Sequence, residues 1–325
     1  MATSDKTALV IGATGSVGGE VAAALLAHGW CVRGLHRDPA RAAREAVGLE
    51  AVEWVKGDAM SVADVTAAAR GARVIVHGAN PPGYKNWAGL AVPMLEATIA
   101  AAKATGARIV FPGNVYNYGP DAFPMLREDS PQNPRTRKGA IRVAMEKRLA
   151  NAGVRTLVVR AGDFFGPVSG SSWLTEGLVA KDKPLRSVTY PGRREIPHTW
   201  AYLPDLAETM ARLAEIETTL PEVAVYNFGG HQLTGTEMIS ALERVAGRKL
   251  PVKGFPWLAL RAVAPFVETL REMIEMRYIW DNAVLMDNAR LVKTLGVEPH
   301  TPLETALRTA LQGQGCLEVD RKAAA

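Results

Sequence analysis

Residues 6–19, KTALVIGATGSVGG, constrain this chain more than any other stretch. The run Ala8–Ile11 has the length and β-branching of a strand buried in a parallel sheet, and it breaks into Gly12, Gly15 and Gly18 before an alanine-rich helical stretch. The reading is strand, turn, helix. In that setting Gly12 permits the tight turn, Gly15 lets the backbone approach a pyrophosphate, and Gly18 lets the helix pack closely on the strand. The helix N-terminus then faces the negative charge. GxxGxxG spacing alone is a weak signal, but with a strand before it and a helix after it the turn predicts a dinucleotide site, with Thr14, Ser16 and Val17 on the same loop.

Composition narrows the partners. At 325 residues the chain exceeds an average domain of ~100–200 residues, so a large domain with an appended lobe is expected. The formal charge is +5, and the basic residues (Arg33, Arg37, Arg41, Arg44, then Arg135, Arg137, Lys138) lack the aromatic interleaving of a nucleic-acid platform. No nucleic-acid partner is expected. Cys31 and Cys316 sit in no metal-like spacing, and the six histidines (28, 36, 77, 198, 231, 300) make no paired ligand cluster, so neither metal nor disulfide is expected and a cytoplasmic location is. The N-terminus has no secretory pattern. Glu96, Lys103 and Arg261 interrupt the apolar stretches before ~18 residues, which predicts no membrane span.

After a first helix over 19–28, a second strand over 31–35 ends in His36, Arg37 and Asp38. An acidic residue about 20 positions past the glycines binds the ribose hydroxyls in NAD sites, whereas a nearby arginine accommodates a 2′-phosphate. His36 stands at that distance and Arg37 follows it, which favours NADP(H) over NAD(H); Asp38 keeps NAD(H) open. A third strand over 52–55 closes at Gly57, Asp58 and Ala59 beside an expected adenine, and a fourth over 74–77 ends in Gly78, Ala79 and Asn80, small enough for close approach to a cofactor. A long helix over 87–105, a fifth strand over 108–111, a helix over 138–152 and a sixth strand over 154–160 complete the alternation, which specifies a parallel, doubly wound α/β sheet with ligands off the carboxyl ends of its strands. Residues 167–197, rich in Gly, Ser and Pro, read as loops and a small helix over the cleft. Further on, the pattern gives a helix over 201–216, a strand over 223–228 opening into Gly229 and Gly230, a helix over 236–246 capped by Thr234, aromatic-rich helices from 250, and a last helix over 301–311 with a frayed 312–325.

GATGSVG (12–18), KGD (56–58), HGAN (77–80), IVFPGNVYNYG (109–119), RAGDFFGP (160–167) and HTWAYLPDLA (198–207) together resemble the extended short-chain dehydrogenase/reductase superfamily, in its epimerase/dehydratase-like branch, and LGVEPHTPLETAL (295–307) resembles its closing segment. The resemblance implies an N-terminal Rossmann domain (1–166 and 199–230) and a smaller, discontinuous substrate lobe (167–198 and 231–325). It also implies an NAD(P)-dependent oxidoreductase acting on a small carbonyl or hydroxyl substrate, with a homodimer as one assembly.

The family's active site does not carry over intact. Its Ser or Thr past the fifth strand falls on Asn114, the tyrosine of Tyr-x-x-x-Lys on Lys138, and the lysine on Arg142. The usual acid/base is absent. The resemblance then leaves three readings. In the first the site is rewired: Asn114 hydrogen-bonds the substrate, Arg142 holds the nicotinamide ribose beside Gly113, and Lys138 or Tyr116 donates the proton. Tyr116 is the better donor on chemistry, since a phenol near ~10 falls when a cation stands close. In the second the chain binds NADP(H) as a non-catalytic sensor or scaffold. In the third the true tyrosine is Tyr118 or Tyr202. The dehydratases' Asp-Glu pair is replaced by Val115 and Tyr116, which disfavours sugar 4,6-dehydration. Asp163, Ser171, Ser172, Arg193, Arg194, His198 and Trp200 are the polar residues expected near the substrate, Asp163, Arg193 and His198 foremost, with Arg193 and Arg194 placed to clamp a phosphate or carboxylate.

Overall fold

Strand β1 (Thr7–Ile11) is buried along its whole length, because it is paired on both edges and covered on both faces. Ala8 and Val10 point to one face, Leu9 and Ile11 to the other, the alternation a pleated strand imposes. In the computed structural model, which describes residues 6–81, 87–168, 170, 172–264 and 268–318, the chain continues through α1 (Ser16–Ala27), β2 (Cys31–His36), α2 (Pro39–Glu45), β3 (Glu53–Lys56), α3 (Val62–Ala68), β4 (Val74–His77), α4 (Trp87–Thr105) and β5 (Arg108–Asn114). The short strand β6 (Met125–Leu126), α5 (Arg137–Ala150) and β7 (Thr156–Ala161) follow. Beyond them come β8 (Asp163–Phe165), β9 (Val188–Tyr190), β10 (Pro197–Tyr202), α6 (Leu203–Glu215) and β11 (Val223–Asn227). The remainder is β12 (His231–Thr234), α7 (Gly235–Ala246), β13 (Val252–Gly254), α8 (Trp257–Val263), α9 (Glu268–Glu275), α10 (Arg277–Trp280), β14 (Leu285–Met286), α11 (Ala289–Leu295) and α12 (Leu303–Gly313).

Seven strands form one parallel sheet in the order β3-β2-β1-β4-β5-β7-β11. The order reverses between β1 and β4, which makes a crevice at their carboxyl ends. One face packs α1 and α6 through Val21, Leu25, Leu206 and Met210; the other packs α3 and α4 through Val65, Leu95 and Ala102. This is the doubly wound α/β architecture expected from the sequence. A separate core joins Trp173, Tyr190, Trp257, Trp280, Met238 and Leu311 to Val115, Tyr118, Phe165 and Trp200. It therefore draws on both parts of the chain and fastens them together.

Local chemistry explains the boundaries that differ from expectation. Ala201 and Tyr202, expected in a helix, extend β10, and α6 begins only where Pro204 can occupy its first turn without removing a helical hydrogen bond. α2 and α3, seven residues each, were too short to register as periodic patterns; Asp38 and Ser61 cap them by accepting from Arg41 N and Asp64 N. Thr234 caps α7 in a reciprocal pair with Glu237. Residues 312–318 are not frayed: the Gln314 amide donates to the carbonyls of Gly166 and Pro167 at 3.2 and 2.8 Å, and Cys316 is buried. No helix of the described residues is long and apolar enough to cross a membrane.

Candidate functional site

At the crevice the backbones come together because glycines let them. Gly12 has φ +85°, and a Cβ there would stand 2.7 Å from the Gly78 carbonyl. One on Gly18 would stand 2.2 Å from Gly12 O, so Gly18 seals helix to turn and stays out of the cavity beyond. Gly15 differs: its φ is ordinary, and a Cβ would meet only Gly12 O, at 3.2 Å, with the cavity otherwise open in front of it. Gly15 also caps α1 without a side chain, and the first turn holds no acidic residue, so its N–H groups and positive end are left to an external anion. A pyrophosphate fits that cradle. The Gly170 N–H donates to Ser16 Oγ at 2.7 Å, which brings the loop after β8 across the turn.

A cavity of about 890 Å³ runs from this turn to the far wall of the crevice. Gly12, Thr14, Gly15, Ser16, Val17, His36, Arg37, Asp58, Ala59, Gly78, Ala79 and Asn80 line one end. Asn114, Tyr116, Lys138, Arg142, Asp163, Ser172 and Trp173 line the other. Arg37 has no ion pair among the described residues, whereas Asp38 accepts from Arg41 N as the cap of α2 and does not reach the cavity.

Several expected residues do not reach the cavity. Gly113 faces Arg160, whose Cγ would lie 2.7 Å from a Cβ, so it packs the sheet rather than the cavity. Arg193 is 75% exposed, loosely opposite Glu195, and neither it nor Arg194 lines the cavity. Ser171 lies outside the described residues, and Trp200 is wholly buried in the second core. Tyr118 and Tyr202 also stay out of the cavity. Burial pushes both phenols up to about 12, and Tyr118 accepts from Arg160 at 2.7 Å. They are structural.

The far wall is set by β5 and α5. Asn114, the last residue of β5, accepts from Tyr116 N through Oδ1 at 3.0 Å, which directs its amide NH2 elsewhere. Thr136 caps α5 and starts the helix so that Lys138, 7% exposed, and Arg142, one turn on, both meet the cavity. Arg142 donates to Pro112 O at 3.2 Å and lies over the rings of Trp87 and Phe111. Beside it His77, 1% exposed, contacts Thr98 Oγ1 at 2.8 Å; burial first and Arg142 second drive its pKa down to about 3, so it is neutral. Sequence reasoning did not single out His77, and its place at the end of β4 was the available signal. Tyr116 donates its hydroxyl to Asp163 Oδ1 at 3.2 Å, and Asp163 Oδ2 lies 2.6 Å from His198 Nε2. His198 thus stands one residue behind the cavity wall, stacked on Trp280 at 4.2 Å. The described residues contain no cluster able to hold a metal ion.

This fold has relatives. UDP-glucose 4-epimerase from Bifidobacterium longum, solved with NAD+ and UDP, superposes with a TM-score of 0.72 at 19% identity, covering 95% of this chain and 98% of that one. UDP-glucuronic acid 4-epimerase from Bacillus cereus, solved with UDP-glucuronic acid and NAD, gives 0.72 at 18% identity, covering 94% and 98%. At such identities the likeness is one of fold. A 3-diazoavenalumate denitrifying reductase from a Streptomyces species is 32% identical over 180 residues, covering 50% of this chain and 57% of the relative, so this chain spans little more than half of that protein's length. The NmrA-like family profile aligns with residues 4–306, from just before β1 to the first turn of α12, and on that extent the chain belongs to the NmrA-like family.

Proposed function

We propose that this protein is an NAD(P)H-dependent reductase of a small organic molecule, with NADPH the preferred cofactor. The carrying observation is that one continuous cavity joins the uncapped glycine turn and Arg37 to Asn114, Tyr116, Lys138, Arg142 and Asp163. When bound, the nicotinamide would supply a hydride. Gly15 and the first turn of α1 would hold the pyrophosphate, Asp58 and Ala59 would border the adenine, and Arg142 would hold the nicotinamide ribose. Arg37 is a guanidinium without a carboxylate partner among the described residues, at the end that would take the adenosine ribose, which suits a 2′-phosphate; Asp38, the acidic residue an NAD-selective site would use, instead caps its helix.

At the far end the Asn114 NH2 would orient the substrate, and Lys138 and Tyr116 stand where a proton must be delivered. The reductase among the relatives supports the reductive direction. A nucleotide-sugar substrate lacks support, since the arginines that would clamp its diphosphate face solvent. We further propose that 167–198 and 231–325 serve as the substrate lobe: Trp173, Met273 and Met276 bring apolar surface to the cavity, which suits an aromatic or aliphatic substrate.

A second reading, a non-catalytic NADP(H) sensor, rests on the replacement of the family's tyrosine and lysine by Lys138 and Arg142. The test is a fluorescence titration with NADPH and NADH, followed by a panel of carbonyl, imine and diazo compounds monitored at the nicotinamide absorbance. Tighter NADPH binding with turnover supports the reductase; binding without turnover supports the sensor, and no binding removes both.

A further inference from the structure

The second core holds a line of three polar side chains that begins in the cavity and ends among tryptophans. Tyr116 donates to Asp163 Oδ1 at 3.2 Å, and Asp163 Oδ2 meets His198 Nε2 at 2.6 Å. Asp163 and His198 are 4% and 2% exposed, and no other carboxylate or cation pairs with either among the described residues. A carboxylate buried this deeply is costly unless it is paired and hydrogen-bonded, and His198 meets that need. His198 is itself held edge and face: it stacks on Trp280 with planes 15° apart, meets Trp200 at 70°, and belongs to β10, which pairs in register with β8, the strand carrying Asp163. Its Nδ1 is buried with no partner among the described residues. The ring contacts with Trp280 and Trp200 leave Nε2 as the nitrogen that meets Asp163. Asp163 also raises its buried neighbours Tyr190 and Tyr278, in each case after burial itself, while Lys138 and Arg142 face Tyr116's end of the line from α5.

We propose that Tyr116, Asp163 and His198 form one hydrogen-bonded line that positions Tyr116 as the proton donor in place of the missing tyrosine of the family. This rests on the reductase reading above. In reduction, the phenol turns its proton from Asp163 Oδ1 to the substrate oxygen, which would become basic on receiving hydride, and the phenolate recovers a proton from water when the cavity, which Tyr116 lines, is empty. The Asp163 carboxylate, held by His198, accepts the phenol's hydrogen bond and so fixes where the phenol stands before and after the transfer. Alcohol oxidation runs the same transfers backwards. Tyr116 is the catalytic residue; Asp163 and His198 are positioning residues, His198 acting through Asp163.

The decisive measurement reads the line directly. The Tyr116 13Cζ resonance reports how far the phenol proton is shared with its acceptor, and the 15N signals of His198 report which ring nitrogen carries the proton. In the wild-type protein His198 should be protonated on Nε2, and His198→Gln should move the Tyr116 resonance although the two side chains do not touch. Asp163→Asn should move it further; if that variant does not fold, His198→Gln alone decides. With a substrate from the panel, Tyr116→Phe should lower kcat by ~100-fold and His198→Gln by ~10-fold, the latter with a shifted pH profile and an unchanged KM for NADPH. An unmoved Tyr116 resonance in His198→Gln, or an unaltered pH profile, overturns the line while leaving the reductase intact. Cofactor binding without turnover by the wild-type protein removes the reductase reading and the line together.

Discussion

The two ends of the cavity are built from different materials. At the glycine end the surface is backbone: Gly12 against Gly78, Gly18 against Gly12, and the exposed first turn of α1. At the far end it is side chain: Asn114 from β5, Lys138 and Arg142 from α5, Asp163 from β8, with His198 behind it from β10. Where backbone meets backbone there is little room for substitution, because a Cβ on Gly12 or Gly18 collides; a side-chain surface can exchange one group for another and keep its shape. Accordingly the glycine end keeps the pattern of the extended short-chain dehydrogenases, and the far end departs from it.

That contrast can be broken or sharpened by experiment. Gly12→Val forces a β-branched residue into φ +85° and against the Gly78 carbonyl at 2.7 Å, so it should cost more than ~3 kcal/mol of stability, read as a lowered Tm. An unchanged Tm would mean the turn is more adaptable than its contacts allow. Gly15→Val meets only Gly12 O, so the fold should survive with Tm within ~2 °C while NADPH affinity drops by over ~100-fold. Equal damage to both quantities would erase the distinction between packing glycine and ligand glycine. At the side-chain end Lys138→Met should keep NADPH affinity and lower kcat by ~100-fold, whereas lost affinity with unchanged kcat would move Lys138 from the reaction to the cofactor. Arg37→Asp should shift the ratio of NADPH to NADH dissociation constants by ~10-fold towards NADH, and an unaltered ratio would take Arg37 out of the site.

The smallest effect concerns acid. Burial, with Arg142 and His300 as second causes, holds His77 and His231 down to about 3 and about 4. In the unfolded chain both take up protons near ~6.5, so between that value and the folded ones the unfolded state binds more protons and stability falls as pH falls. Tm should therefore decline from about pH 7 to about pH 4, and His231→Gln should make the decline shallower by ~2–4 °C. Parallel curves for the two proteins would show that His231 takes no part.

The sheet was largely legible because its signals are local. β1, β4 and α4 were expected within a residue of where they lie, since each is a continuous apolar or helical run ended by Gly, Pro or a change of period. α2 and α3 were missed for want of length, and β8, β10 and β12 because their partners lie in distant parts of the chain. At the site, Asn114, Lys138 and Arg142 were placed by counting along the motifs that carry the resemblance, and all three line the cavity. Arg193 and Gly113 were misplaced because a loop's direction and a glycine's facing neighbour depend on what packs against them.

By itself the sequence determined the glycine turn and the alternation of strands and helices, which follow from backbone sterics and periodicity over a few residues, while the place of Lys138 at the family's tyrosine position came from the resemblance alone. Only the tertiary structure decided that Tyr116, Asp163 and His198, spread over 83 positions, share a hydrogen-bonded line, and that Asp38 caps a helix while Arg37 faces the cavity. Those outcomes depend on side-chain direction and on the pairing of strands far apart in the chain, which no local pattern encodes.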